Sequence, residues 1–556
     1  MDKYINKAKA KLQSLKLDND DSSSPSKAPP IPPNKPTHLQ QQQSLGNPQS
    51  IPPPTAIDVL RYRYHHGCNL GAVYVLEKWL FPSMYPKNCP GNKSSELECV
   101  KASVKEIGLE QTREKWEKHW ANALTDSDLD WLVDVGHCTT IRLPIGYFTL
   151  GPQFCAHTPF SSCADVYVNA WSSVKQLTSR CRARGIGILL DLHGLPGGAN
   201  GNEHSGTNSG AAEHWKSSSH RKHSLRVLEH MAREVHDDFA EFGAGIAGIQ
   251  ACNEAEWEAK GLYDWYDDVL ATIGNVDPSI PVYISDAWNL GKCLDYVAKK
   301  NAITTLPTNP VVADTHLYWT FGDADKKKSP QQIIKEVGYK LGELDAKEGD
   351  VAKKGAVAAV IGEYSCVLSE DTWNKRGSES REDLERQFGQ AQSAKYQHRA
   401  FGSFYWTLKM DWMPGGGWGF VSQTQKASIP PPAHLTISPP DTSTRLSTAL
   451  SQRDSRCQAA FNAHCQYWDH NSAPDTPFDH QLYEQGWKTG FDDAAAFFGM
   501  RAKWGWGRGG GDKIGSLELW VLKRVRDGGV GGACVWEFEQ GVRRGVGEFC
   551  EAAGGL

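Results

Sequence analysis

Residues 186–194 read Ile186-Gly187-Ile188-Leu189-Leu190-Asp191-Leu192-His193-Gly194. A short apolar run turns polar at its end and opens onto the turn-rich Pro196-Gly197-Gly198-Ala199-Asn200-Gly201. This is the pattern of a β-strand entering a loop. Amphipathic segments flank it at 165–184 and 222–242, and further ones follow at 261–273 and 381–399. The alternation of short apolar runs and helical segments continues from about 56 to 424, the pattern of repeated βα units. Strands are expected at 64–70, 140–144, 186–192, 248–253, 282–285, 311–316, 358–362 and 401–406. Eight on this spacing predict a closed α/β TIM barrel, (β/α)8. A doubly wound sheet needs a Gly-rich phosphate turn after its first strand, and Asn69-Leu70-Gly71-Ala72-Val73 is not one.

The chain has 556 residues, which leaves room beyond the barrel. Residues 1–55 read as a disordered tail rich in Pro and Gln, with the polar run 18–24 and clusters such as Pro52-Pro53-Pro54. Residues 4–17 have the spacing of a short amphipathic helix, with Ile5, Ala8, Leu12 and Leu15 near one face. It is either simply solvated or applied to an anionic membrane surface. Residues 425–456 form a Pro/Ser/Thr-rich linker or insertion. Residues 457–556 form a C-terminal helical extension packed on the barrel, one helix of which is a candidate for the barrel's own eighth. A weak repeat marks this extension: Tyr483-Glu484-Gln485-Gly486-Trp487-Lys488-Thr489-Gly490 resembles Phe538-Glu539-Gln540-Gly541-Val542-Arg543-Arg544-Gly545.

Sixty basic residues oppose 65 acidic ones, a formal net charge of −5, with no long basic run, so a nucleic-acid partner is not expected. No apolar stretch is long enough for a membrane span. The start of the chain lacks the apolar core of a secretory signal. Several of the 14 Cys (Cys68, Cys138, Cys252, Cys366) sit in apolar strand-like runs and read as buried thiols. Together these predict a cytoplasmic monomer, with non-classical export to the cell surface as the alternative. No metal is expected: Cys-x-x-Cys, His-Glu-x-x-His and acidic calcium-loop patterns are missing from the sequence, and His65-His66, His220 and His223 read as exposed.

Barrel chemistry sits at the C-terminal ends of the strands. These ends read Arg142-Leu143-Pro144, Asp191-Leu192-His193, Asn253-Glu254, His316-Leu317-Tyr318, Glu363-Tyr364 and Tyr405-Trp406. Two carboxylates facing each other across such a ring suit glycosidic-bond cleavage. One donates a proton to the leaving oxygen, and the other acts at the anomeric carbon.

Seven motifs in order resemble the fungal exo-β-1,3-glucanases of glycoside hydrolase family 5, over roughly residues 60 to 420. They are Asn69-Leu70-Gly71…Glu77-Lys78-Trp79, Ile141-Arg142-Leu143-Pro144-Ile145-Gly146-Tyr147, Asp191-Leu192-His193-Gly194…Asn200-Gly201, Asn253-Glu254, His316-Leu317-Tyr318, Gly362-Glu363-Tyr364-Ser365 and Phe404-Tyr405-Trp406-Thr407-Leu408-Lys409. The resemblance implies a retaining β-glucosidase that needs no cofactor. It makes Glu254 the acid/base, with a raised pKa, and Glu363 the nucleophile. It also matches Glu77 and His193 to residues that bind terminal glucose hydroxyls. Within it, Asn253 is placed for the sugar 2-hydroxyl, Arg142 for keeping Glu363 ionised, and His316 and Tyr318 for holding the nucleophile or the sugar. Trp406 is the stacking floor. The carboxyl groups are expected about 5–5.5 Å apart.

Bland readings stand beside these: a structural ion pair for Arg142, satisfied core positions for His193 and His316, and packing for Trp406. Asp191 reads as a brace for His193. Cys252 should face away from the mouth. Glu256 and Asp411 read as solvated, and Trp412 and Trp418 as either further sugar platforms or packing. Ala255 and Lys78 replace the family's usual prolines, which affects the loops that select substrate. Three alternatives remain. One is a lipid or sterol glucoside as substrate. The second is transglycosylation on the same site. The third is a non-enzyme: either a glycan-binding protein on a dead barrel, which would be expected to lose a Glu, or a scaffold whose Pro-rich tail binds partner domains, which leaves the polar ring unexplained.

Overall fold

The computed structural model describes residues 51–89, 94–303, 308–473, 476–507 and 509–556. The expectations for residues 1–50, including the helix at 4–17, lie outside the described residues. Eight parallel strands close into a barrel in sequence order. They are β1 His65–Asn69, β2 Thr140–Gly146, β3 Gly187–Gly194, β4 Ile246–Gln250, β5 Val282–Ser285, β6 Val311–Leu317, β7 Ala359–Tyr364 and β8 Gly402–Tyr405. Closure is made by β1 on β8, with His65 opposite Gly402.

The two-residue strand period sorts the side chains. Ile188, Leu190 and Leu192 of β3 point to the surrounding helices and join the larger apolar core. Leu189 points into the barrel, in a bottom layer with Ala247, Tyr283, Val312, Val360 and Phe404. One step up the same inward face stand Asp191 and His193. The same alternation brings Arg142, Gln250 and Asp314 inward above the apolar floor. The run that reads as an uninterrupted apolar strand thus carries two different faces, one of which ends in polar groups.

The strand expected to run to residue 253 ends at Gln250, so Asn253 and Glu254 both lie in the loop that follows β4. Glu254 has φ +42°, a left-handed conformation that strains a non-glycine residue. Asn200 Nδ2 holds its carbonyl at 2.9 Å, and Ser285 Oγ accepts the next amide, Ala255 N, at 3.1 Å. Cys252 lies against Tyr266 OH at 3.5 Å, towards the helix Leu262–Gly274 and away from the mouth. His65 and His66 are buried in β1, not exposed, because the strand passes between the barrel interior and the helices. His223 is buried as well, on the inner face of the helix Ser218–Asp237.

The opposite end of the barrel is sealed. Helix α1 (Ala56–Tyr62), capped by Thr55 and Asp58, places Val59 and Leu60 under the apolar layer. The segment read as a linker contains α2 (Pro439–Ser451). It leads to α3 (Arg453–Asn471), α4 (His480–Trp504), α5 (Leu517–Asp527) and α6 (Val535–Ala552). These helices pack at the strand-entry end: Arg63 pairs with Asp512 at 3.3 Å, and Glu539 accepts from Val351 N at 2.8 Å. The eighth barrel helix comes from none of them. The short helix Phe420–Gln425 takes that place, with Phe420 against His66, Trp131 and Tyr405.

The weak repeat has a packing reason. Its glycines are where α4 and α6 touch. A Cβ on Gly490 would lie 2.2 Å from Val542 O, and one on Gly545 would lie 2.1 Å from Trp487 O. Only hydrogen fits between the two backbones. Gly545→Ala is therefore expected to destabilise the protein by about 1–3 kcal/mol, as overpacking does. Denaturant unfolding measures it, and an unchanged midpoint would show that the helices separate freely. Among the described residues no helix is long and apolar enough to cross a membrane.

Candidate active site

Arg142 is the hub of the barrel mouth, and no part of its side chain is exposed. Its Nη1 donates to Glu363 Oε1 at 2.9 Å and to Asn69 Oδ1 at 2.8 Å. Its Nη2 donates to Asn253 Oδ1 at 2.8 Å and lies 3.0 Å from Asp191 Oδ2, and its Nε donates to Gln250 Oε1 at 2.9 Å. One planar fork thereby ties together Asn69, Asp191, Gln250, Asn253 and Glu363. Tyr318 OH donates to the other Glu363 oxygen at 2.8 Å.

His316 stands between the two glutamates. Its Nδ1 is 2.9 Å from Glu254 Oε1 and 3.5 Å from Glu363 Oε2, and its Nε2 is 3.2 Å from Asp314 Oδ2. One donor atom each of Glu254, His316 and Glu363 lies within 4.8 Å of the others. Asp191 Oδ2 receives His193 Nδ1 at 2.7 Å, and Asn253 Nδ2 meets His193 Nε2 at 3.2 Å. The brace on His193 expected of Asp191 is in place, and Asp191 also faces Arg142.

The charges do not fall as the sequence suggests. Burial pushes Glu254 up, but the His316 hydrogen bond and the adjacent His204, His316 and His193 outweigh it and hold the carboxyl down to about 2. Burial lifts Glu363 up to about 7 despite His316 and Arg142, with repulsion from Glu254 adding to it. His316 thus holds Glu254 down, against the raised value expected of it. The cause is direct: His316 is charged well above its ordinary range by Glu363 and Asp314, and its Nδ1 lies closer to Glu254.

A cavity of about 820 Å³ opens over these groups, lined among others by Glu77, His193, Trp406 and Trp418. Trp406 is buried and lies parallel to His193, with centroids 6.1 Å apart. Trp418 reaches the cavity, but Trp412 is not among the lining side chains. Its Nε1 instead braces Trp79 O at 2.8 Å. Asp411 is exposed and accepts from Ser83 N at 2.8 Å, and Glu256 does not line this cavity.

Burial pushes the Glu77 carboxyl up to about 7 against the Trp79 Nε1 hydrogen bond, and Glu254 adds repulsion. A carboxyl raised by folding favours the folded state while protonated. Its contribution is full below the ordinary value of 4.5 and is lost as pH rises through about 7. Glu77→Gln is expected to flatten the fall in melting temperature across that window, read by calorimetry at stepped pH. A parallel fall in both proteins would refute the assignment.

Sequence reasoning missed His204, Phe321 and the wall role of Trp79. His204 Nε2 is 3.3 Å from Glu254 Oε2, and its Nδ1 is 3.4 Å from His193 Nε2. It comes from the loop after β3, where spacing carries no strand or helix period. Phe321 packs on Trp418 at 6.2 Å. The exposed Trp79, within a quoted motif, was the available signal.

Comparison with known proteins agrees with this geometry. The family described as Cellulase (glycosyl hydrolase family 5) matches residues 100–411, and the one described as Glucan 1,3-beta-glucosidase 3 C-terminal domain matches 449–553. The chain is 31% identical to glucan 1,3-beta-glucosidase 3 of Schizosaccharomyces pombe, over 87% of this chain and 95% of that protein. It is 29% identical to an uncharacterized glycosyl hydrolase of Saccharomyces cerevisiae, over 90% of this chain and 94% of that one. Rutinosidase from Aspergillus niger shares the fold at TM-score 0.50 and 17% identity, covering 67% of this chain and 99% of its own. The protein is a barrel glycosidase. It belongs to glycosyl hydrolase family 5, and its C-terminal helices match the domain named for glucan 1,3-beta-glucosidase 3.

Proposed function

We propose that the protein releases glucose from β-1,3-glucan or related β-glucosides by double displacement, with Glu363 as nucleophile and Glu254 as acid/base. The observation that carries this reading is that one oxygen of Glu254 and one of Glu363 lie within 4.8 Å of each other, both residues lining the same cavity. Inverting enzymes need a wider gap, about 6.5–9.5 Å, to admit a water molecule. Glu363 has one oxygen on Arg142 and the other on Tyr318, which aims it and favours its ionised form at the moment of attack. Glu254 approaches the same His316 nitrogen, Nδ1, and borders the same cavity.

The proton that Glu254 needs is next to it. Transfer from His316 Nδ1 to Glu254 Oε1, across 2.9 Å, leaves a neutral imidazole and a protonated acid with no change in net charge. Glu254 then gives the proton to the departing oxygen as Glu363 bonds the anomeric carbon. In the second step Glu254 takes a proton from water as the water oxygen bonds the anomeric carbon and the bond to Glu363 breaks, which frees glucose. Asn253, next to His193, is placed for the sugar 2-hydroxyl, and Trp406 offers its face to the ring.

The test is the first-formed anomer, followed by NMR during hydrolysis of laminari-oligosaccharides. Initial β-glucose is expected, and initial α-glucose would refute double displacement. A second reading rests on the aromatic rim. Trp79 is 41% exposed and stands with Trp418 and Phe321 at the cavity wall, which also suits an apolar aglycone. An alkyl β-glucoside hydrolysed with a higher kcat/KM than laminaribiose would favour it.

A further inference from the structure

We propose that His464, His480 and Glu537 form a zinc site that ties three helices of the C-terminal layer together. His464 lies on α3, His480 opens α4 and Glu537 lies in the first turn of α6. His464 Nε2 is 2.9 Å from Glu537 Oε2, and His480 Nδ1 is 2.8 Å from the same oxygen. All three donor atoms lie within 4.8 Å of one another. Two imidazoles and one carboxylate are a zinc donor set, with the fourth position left to water.

A tetrahedral ion about 2.1 Å from each donor separates the donors by about 3.4 Å. The two rings therefore need to draw back from Glu537 by about half an ångström, which side-chain rotation supplies. With Glu537 ionised, each ring nitrogen donates a proton to its Oε2. The ion replaces those two protons.

What separates this group from an ordinary hydrogen-bonded cluster is that every donor is aimed by a further partner. His480 Nε2 faces Asp469 Oδ1 at 3.2 Å, which leaves Nδ1 for the ion. That carboxylate–imidazole pairing is the usual support of a metal-bound histidine. Glu537 Oε1 accepts from Asp479 N at 2.7 Å, which leaves Oε2 for the ion. The His464 ring lies flat on Tyr483, with centroids 3.8 Å apart. Trp468, Trp536 and Phe478 crowd around and limit water. His464 and Glu537 are buried, whereas the His480 side chain is 19% exposed and gives an entry path. Residue spacing hid the site: Glu537 lies 73 positions after His464 and 57 after His480, so a local ligand motif does not arise.

The test uses the full chain, stripped with chelator and titrated with Zn²⁺ by calorimetry and with Co²⁺ by visible absorption. One ion per chain is expected, with intense cobalt bands of a low-coordinate site. His480→Gln and Glu537→Gln should each weaken binding at least about 100-fold, and Asp469→Asn about 10–100-fold. Zn²⁺ should raise the melting temperature of the wild type and not that of His480→Gln, a partly exposed position unlike the buried Glu537. Glu254→Gln should bind as the wild type does. Failure of the wild type to bind either ion overturns the proposal, and so does binding unchanged in His480→Gln. Loss of binding in Glu254→Gln overturns it too, because the ion would then sit between Glu254, His316 and Glu363.

Discussion

Glu363→Gln is expected to lower kcat on any β-glucoside by roughly 10⁴-fold or more, the scale seen when a nucleophile is removed from a catalytic unit. The side chain keeps its shape, and Arg142 and Tyr318 stay in reach, so the loss reflects chemistry rather than folding. Glu254→Gln should behave differently. With a good leaving group such as a nitrophenolate, the first step needs little protonation, and glycosyl-enzyme accumulates because no base activates water. Added azide should then restore turnover in Glu254→Gln and not in Glu363→Gln. Steady-state rates with and without azide, together with intact mass of the trapped protein, decide the roles. Near-normal activity in either variant would remove that residue from its role, and exchanged behaviour would swap the two.

Arg142→Met is expected to cost about 3–5 kcal/mol of stability, the range for breaking a buried ion pair from one side. The reason lies in its partners. Glu363 and Asp191 would be left buried without the guanidinium that lowers both. Asp191, already pushed by burial up to about 7, would rise further, as would Glu363. A nucleophile that holds its proton to higher pH shifts the acid limb of the kcat/KM profile upward. Denaturant unfolding and the pH–rate profile read the two effects separately. Arg142→Lys should retain more stability than Met yet lose the fork that reaches Glu363, Asn69 and Asn253 together. Stability of Arg142→Met within 1 kcal/mol of wild type, a margin well below the expected cost, would show that the partners are satisfied without it.

The barrel was legible because its strands are separated by helices at regular spacing, and local periodicity survives in a linear sequence. Arg142, His193, Asn253, Glu254, His316, Tyr318, Glu363 and Trp406 were legible for the same reason: strand ends can be located once strands can. His204 was not, since the loop after β3 has no period to mark where its side chain turns. The proton order of Glu254 and Glu363 was not either. Residue type names an acid but does not say that His316 stands nearer to one than to the other.

The C-terminal hundred residues show the same division. The repeat around Gly486, Gly490, Gly541 and Gly545 is visible in the sequence, but only packing shows that those glycines face each other's backbones. The sequence by itself determined the strand order, the amphipathic helices and the inventory of chemical groups, since these depend on neighbours within a few residues. The tertiary structure alone decided which groups meet. Arg142 reaches Glu363 across 221 residues, and His464 reaches Glu537 across 73. Contacts of that separation follow from barrel closure and helix packing, where burial and charge balance, not local propensity, set the outcome.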